Sequence, residues 1–160
     1  MDRAYAPQWS PFDGRTARSD VDRCSSAHNR LEVVVPALPW VEVRTLDADR
    51  KYVAMASRLP LRSHIDSAGF LLDTLRIRRQ LERADGLVGY ALNAQITRKT
   101  FWTFSVWTDR TSLDAFARAD PHRQIIERLR PKMGDSRFEF LQLSGAEIPT
   151  TWDERMDPVR

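Results

Sequence analysis

LVGYALNAQIT (Leu87–Thr97) and TFWTFSVWT (Thr100–Thr108), separated only by Arg98-Lys99, decide the fold. Both segments are rich in β-branched, aromatic and aliphatic residues and have strand length, so they predict a hairpin. A two-residue loop sets Tyr90 opposite Trp107, Leu92 opposite Ser105 and Ala94 opposite Thr103. The other face then carries Asn93, Gln95, Trp102, Phe104 and Val106. Large apolar side chains fall on both faces, whereas a sheet with helices on one side and water on the other has one polar face. The second face therefore needs cover, from the N-terminal arm or from a second subunit.

Upstream, Tyr52–Leu59 reads as a strand ended by Pro60. The pattern is helical from Asp66 to Arg83, with Leu71, Leu72, Leu75 and Arg79 on one face and Phe70, Ile77 and Leu81 widening it. Asp85-Gly86 stops that helix. Downstream, Asp109 caps a helix over Arg110–Arg118 that presents Leu113 and Phe116. Asp120-Pro121 restarts the helix, with Asp as cap and Pro at the first position. His122, Ile125, Ile126, Leu129 and Met133 share one face there, and Arg137–Leu143 alternates as a last strand. The order strand, helix, two strands, helices, strand predicts an α+β, ferredoxin-like domain: a four-stranded antiparallel sheet with helices on one face.

The domain reading is an irregular N-terminal arm over residues 1–40, the ferredoxin-like domain over 41–145 and a C-terminal tail over 146–160. The arm mixes Pro, Ser, Asp and Arg, with Leu31–Pro36 apolar enough to lie on a surface and Val41–Leu46 as a short strand. A chain of 160 residues, 42% hydrophobic and 29% charged, suits one globular domain. No apolar run has the length of a membrane span, and the start has no signal-peptide character, so the expected location is cytoplasmic.

The formal net charge is +3, and acidic residues are interspersed with the basic ones. Lys51, Lys99 and Lys132 are the only lysines among 25 basic residues. No single-sign block and no recognition motif argues for nucleic acid. Cys24 stands alone, and His28, His64 and His122 are widely separated, so no metal site is expected. Phosphate-binding Gly loops, G-x-S-x-G and His-Glu-x-x-His are absent.

Three groups could carry chemistry. His122 lies on the apolar face of its helix near the N-terminus, where the dipole favours neutral imidazole, as suits a base. Trp107 and Tyr90 could wall a flat aromatic ligand, with Thr103 projecting from the same face as a hydrogen-bonding group. Arg79 is the member of Arg76, Arg78, Arg79 and Arg83 nearest the apolar side, suited to an anionic or phenolate ligand. Each group has a plainer reading as a satisfied core histidine, core aromatics or a solvated face.

The run Thr100–Phe116, a strand ending in Trp107, then Asp109, then a helix reading Leu-x-x-Phe, resembles the antibiotic-biosynthesis-monooxygenase superfamily. Asp120-Pro-His122-Arg and Asp85-Gly-Leu-Val-Gly-Tyr90 extend the likeness, and the element order carries it from Tyr52 to Leu143. The resemblance is to an uncharacterised bacterial branch. It implies a homodimeric α+β barrel built sheet against sheet, with a pocket between helices and sheet. Members include cofactor-independent monooxygenases of polyketide phenols and haem-degrading enzymes. Trp107 matches the strand tryptophan of the quinone-forming members, but Thr103 stands where those carry Asn. In the haem-degrading members a helix Trp precedes an axial His; here Phe116 replaces that Trp, and His122 stands about one turn before the expected His.

Two functions follow as expectations. The first is a cofactor-independent monooxygenase, hence an oxidoreductase, acting on a flat aromatic or polyketide-like small molecule. His122 would be its base, Trp107 and Tyr90 its walls, Thr103 and Arg79 its polar contacts. The alternative is a non-catalytic dimeric module, either small-molecule-binding or structural.

Overall fold

A computed structural model describes residues 38–160. The arm expected over residues 1–40 therefore falls, up to residue 37, outside the described residues, as do Cys24 and His28. The described elements are β1 (Leu38–Glu42), β2 (Lys51–Pro60), α1 (His64–Leu81), β3 (Leu87–Gln95), β4 (Thr100–Trp107), α2 (Arg110–Arg118), α3 (His122–Leu129), β5 (Arg137–Ser144) and α4 (Trp152–Met156). The strands form one antiparallel sheet in the order β1-β3-β4-β2-β5. The ferredoxin-like order is thus observed, with five strands rather than the four expected. The fifth, β1, adds to β3 at one edge and begins nearer the N-terminus than the strand expected at Val41–Leu46. Its Pro39 is tolerated because an edge strand leaves backbone positions that need no ladder partner.

The β3–β4 connection corrects the expected register. Ile96–Arg98 coils as a short 3₁₀ turn and Lys99 takes a left-handed φ of 53°, so the loop is longer than Arg98-Lys99 alone. The pairing slides by two residues. Tyr90 faces Ser105, Leu92 faces Thr103 and Ala94 faces Phe101, while Trp107 pairs with Leu87. A two-residue slide preserves which face each side chain takes, because side chains alternate with period two.

Helices α1, α2 and α3 cover one face. Ser63 caps α1 and Asp109 caps α2, each side chain accepting a backbone N–H of its first turn. On α1 the inward residues are Ser67, Phe70, Asp73 and Leu81, whereas Ile65, Leu72 and Leu75 lie exposed. The expected Leu71-Leu72-Leu75 face is therefore not the core face. α3 also starts differently: it has no side-chain cap from Asp120, and the His122 N–H donates instead to Gln80 Oε1 on α1, at 2.9 Å. Two apolar clusters result on this side. One gathers Leu59, Leu61, Phe70, Phe101, Ile125, Leu129 and Met133; the other gathers Leu81, Leu87, Tyr90, Trp107, Leu113 and Phe116.

The second face is covered from within the chain. Tyr52, Ala54, Ala56, Val88, Phe104 and Val106 are buried beneath Ile148 and Val159. The segment from Gly145, expected as an irregular tail, runs through 3₁₀ turns and α4 across β4, β2 and β5, burying Arg155 and Met156 as well. The main helices α1, α2 and α3 thus share one face as expected, and the C-terminal segment with the five-residue α4 closes the other. Thr151 and Glu154 form a capping box that starts α4. Arg155, only 5% exposed, stacks its guanidinium 5.2 Å from the Trp40 ring centre and donates from Nε to the Pro149 carbonyl at 2.9 Å.

Candidate functional site

Between the two clusters on the helix side, the sheet carries a band of hydroxyls. Ser57 on β2 and Thr103 on β4 are register partners, with Oγ and Oγ1 2.6 Å apart. One row further along, Ser105 accepts the indole N–H of Trp107 at 3.0 Å. Ser57 and Ser105 are buried, but Thr103 keeps partial exposure although β4 is the central strand. The helix layer thus leaves a gap over it. Towards β5, Phe138 pairs with Ser57 and Phe140 with Met55, on the same face of the sheet. These two rings are 48% and 44% exposed, and the Arg110 guanidinium lies 4.0 Å from the centre of the Phe140 ring. The hydroxyl pair, the two exposed rings and Arg110, which pairs with Asp114 at 2.9 Å, thus lie on one face of the sheet towards β5. Ser57, Phe138 and Phe140 escape a sequence reading, because only strand pairing brings residues about eighty positions apart together.

The residues singled out from sequence take other places. Trp107 and Tyr90 are fully buried. The Tyr90 hydroxyl accepts from Arg78 Nε at 3.1 Å and donates to Glu82 at 3.4 Å, and burial pushes its phenol pKa up. Trp107 packs on Phe116 with ring centres 5.2 Å apart, and Phe116 packs on His122 at 4.8 Å. The Ala117 carbonyl can only accept, so its 3.1 Å contact with His122 Nδ1 puts the proton on Nδ1. Nε2 then carries the lone pair. Burial holds this imidazole below its usual pKa, against the opposing effect of the Ala117 carbonyl. Arg79 lies apart from Thr103, in a groove on the outer side of the helix layer.

Solved structures of other proteins share this architecture. A Fusobacterium nucleatum protein inferred to be a monooxygenase matches at TM-score 0.58 and 13% identity, over 68% of this chain and 49% of its own. The haem-degrading enzyme of Listeria monocytogenes matches at 0.54 and 15%, over 67% and 69%. A Caulobacter crescentus protein inferred to be an antibiotic biosynthesis monooxygenase matches at 0.50 and 15%, over 57% and 89%.

The fold is that of the antibiotic-biosynthesis monooxygenases.

The chain spans about half the length of the Fusobacterium protein. No protein-family model matches the sequence, and no curated protein matches it either. Among the described residues no cluster of His, Cys, Asp and Glu could hold a metal ion. No described helix is long and apolar enough to cross a membrane. The residues fit haem poorly: one turn beyond His122 the inward positions are Ile125 and Ile126, and the His122 ring is itself packed against Phe116.

Proposed function

We propose that the chain is a cofactor-independent monooxygenase of flat phenols, aromatic or polyketide-like, working on the sheet face that bears Ser57 and Thr103. The observation that carries this reading is the partly open hydroxyl pair on the central strands beside the exposed rings of Phe138 and Phe140. A flat ring stacks on those phenylalanines, and its phenolic oxygen reaches the hydroxyl pair. Arg110, already paired with Asp114 at 2.9 Å, offers a phenolate its remaining N–H donors. His122, neutral with its Nδ1 proton on the Ala117 carbonyl, offers Nε2 as the acceptor for the substrate proton. Trp107 and Tyr90 serve as the fixed wall behind Phe116 and the sheet rather than as contact surface.

A deprotonated phenol can itself reduce dioxygen. One ring C–H becomes C=O, the phenolic O–H becomes the second C=O, and the other oxygen atom leaves as water. The protein then has to bind, desolvate and take up a proton. Oxygen-electrode assays with hydroxynaphthalenes test the reading, run on the wild type and on Thr103→Val and His122→Ala. Enzyme-dependent uptake that falls by about tenfold or more in both variants is expected. Binding without uptake would move the chain to the non-catalytic alternative, and uptake indifferent to both substitutions would remove these residues from the site.

A further inference from the structure

The groove that holds Arg79 has no part in the sheet face just described. Its volume is about 970 Å³, with α1 as one wall and α2 and the turn into α3 as the other. Arg76, Arg79 and Arg83 line the first wall. They recur at i, i+3 and i+7, so they share one helix stripe about 10 Å long. Ala115, Phe116, Ala119 and Pro121 supply apolar surface opposite them.

Three arginines meet three aspartates in this lining, so what distinguishes Arg79 and Arg83 is their lack of a direct partner among the described residues and not an excess of charge. Asp109, Asp120 and Asp85 also line the groove, but two of the three are occupied. Asp109 accepts the Ser112 backbone N–H, the Ser112 hydroxyl and the Thr108 hydroxyl; these contacts, the backbone one first, hold its carboxyl below the usual range. Asp120 pairs with Arg123 at 3.0 Å and accepts from Gln124 at 2.8 Å. On the other wall Arg76 makes one long contact with Asp73, at 3.5 Å. Among the described residues Arg79 and Arg83 form no ion pair. Arg79 and Arg83 thus face an apolar wall with their guanidinium donors free of any ion pair among the described residues.

The walls are also tied together. Gln80, within the same stretch of α1, donates from Nε2 to the carbonyls of Phe116 and Ala119 at 3.3 and 3.2 Å, and accepts the His122 N–H through Oε1. Three bonds from one side chain fix the groove's width before any ligand arrives, which lowers the ordering cost of binding.

We propose that this groove is a binding site for an amphiphilic anion: a carboxylate or phosphate held by Arg79 and Arg83, with an attached aromatic ring lying on Ala115, Phe116 and Ala119. Guanidinium forks bind both anions in bidentate fashion, and the flat apolar wall selects for a ring over a free inorganic ion. The site stands independently of oxygenase turnover on the sheet face beside β5.

Isothermal titration of the full chain with 2-naphthoate, 1-naphthyl phosphate and neutral 2-naphthalenemethanol tests it. At least one anion should bind saturably while the alcohol does not, and the preferred anion reports whether the head group is carboxylate or phosphate. Arg79→Gln with Arg83→Gln should weaken that binding by about tenfold or more, as should a rise in salt, whereas Arg98→Gln on the β3–β4 turn should leave it unchanged. Ala115→Glu, at an exposed helical position, should abolish it. No saturable binding by either anion, equal binding of the alcohol, or an unchanged affinity in the double arginine variant would each overturn the proposal.

Discussion

Ser57 Oγ and Thr103 Oγ1 stand 2.6 Å apart on adjacent strands, one buried and one partly open, so each hydroxyl has the other as its hydrogen-bond partner. Removing one partner strands the other. Thr103→Val should cost about 1–3 kcal/mol because the buried Ser57 hydroxyl loses its bond, while Thr103→Val combined with Ser57→Ala should cost less than the single change. Urea midpoints across the four members of that cycle measure the coupling.

The pH dependence follows from His122. Its folded pKa lies below the ordinary imidazole value, roughly 6.5, so at higher pH it is neutral in both states and adds no slope. As pH falls through that value the unfolded chain binds the proton first, and stability drops until the folded imidazole protonates too. Comparing urea midpoints at about pH 7.5 and about pH 5 should show this loss, and His122→Phe, which keeps a ring against Phe116, should remove its share. A difference between the two pH values that is the same in the variant would assign the slope to other groups.

Gly89 has no room for a side chain. A Cβ there would stand 2.2 Å from Cζ2 of Trp40, whose indole is itself backed by Arg155 and Phe104. Gly89→Ala should therefore destabilise by about 1–3 kcal/mol, and by clearly less in a Trp40→Leu background. Equal costs in the two backgrounds would mean that the indole yields freely.

Val159 is fully buried against the sheet's second face. Val159→Asp places a carboxylate in that contact and should lower stability by more than about 3 kcal/mol, read as a shifted denaturation midpoint. It should also raise the fluorescence of a dye that binds exposed apolar surface. An unaltered midpoint would show that Gly145–Arg160 contributes little to holding the sheet.

Local chemistry made much of this legible. The strands around Tyr90 and Trp107, the Asp109 cap, the inward Leu113 and Phe116 and the final strand from Arg137 all follow from pattern and capping. The apolar load on both sheet faces rightly implied a second cover. What failed was long-range or balanced information. Leucines lie all round α1, so periodicity alone could not tell that Phe70 and Leu81 point inward while Leu72 points out. The candidate site behaves similarly: Phe116 packs against both Trp107 and His122, and the hydroxyl of Ser57 joins Thr103 only through the β2–β4 register, neither of which local pattern reveals.

The position of the second cover also has a consequence for synthesis. Every strand it seals precedes it in the chain, so the ribosome makes the sheet before it makes Ile148, Met156 and Val159. Until that last segment docks, a newly formed sheet presents Phe104, Val106 and Val88 to its surroundings, the kind of surface that holdase chaperones engage.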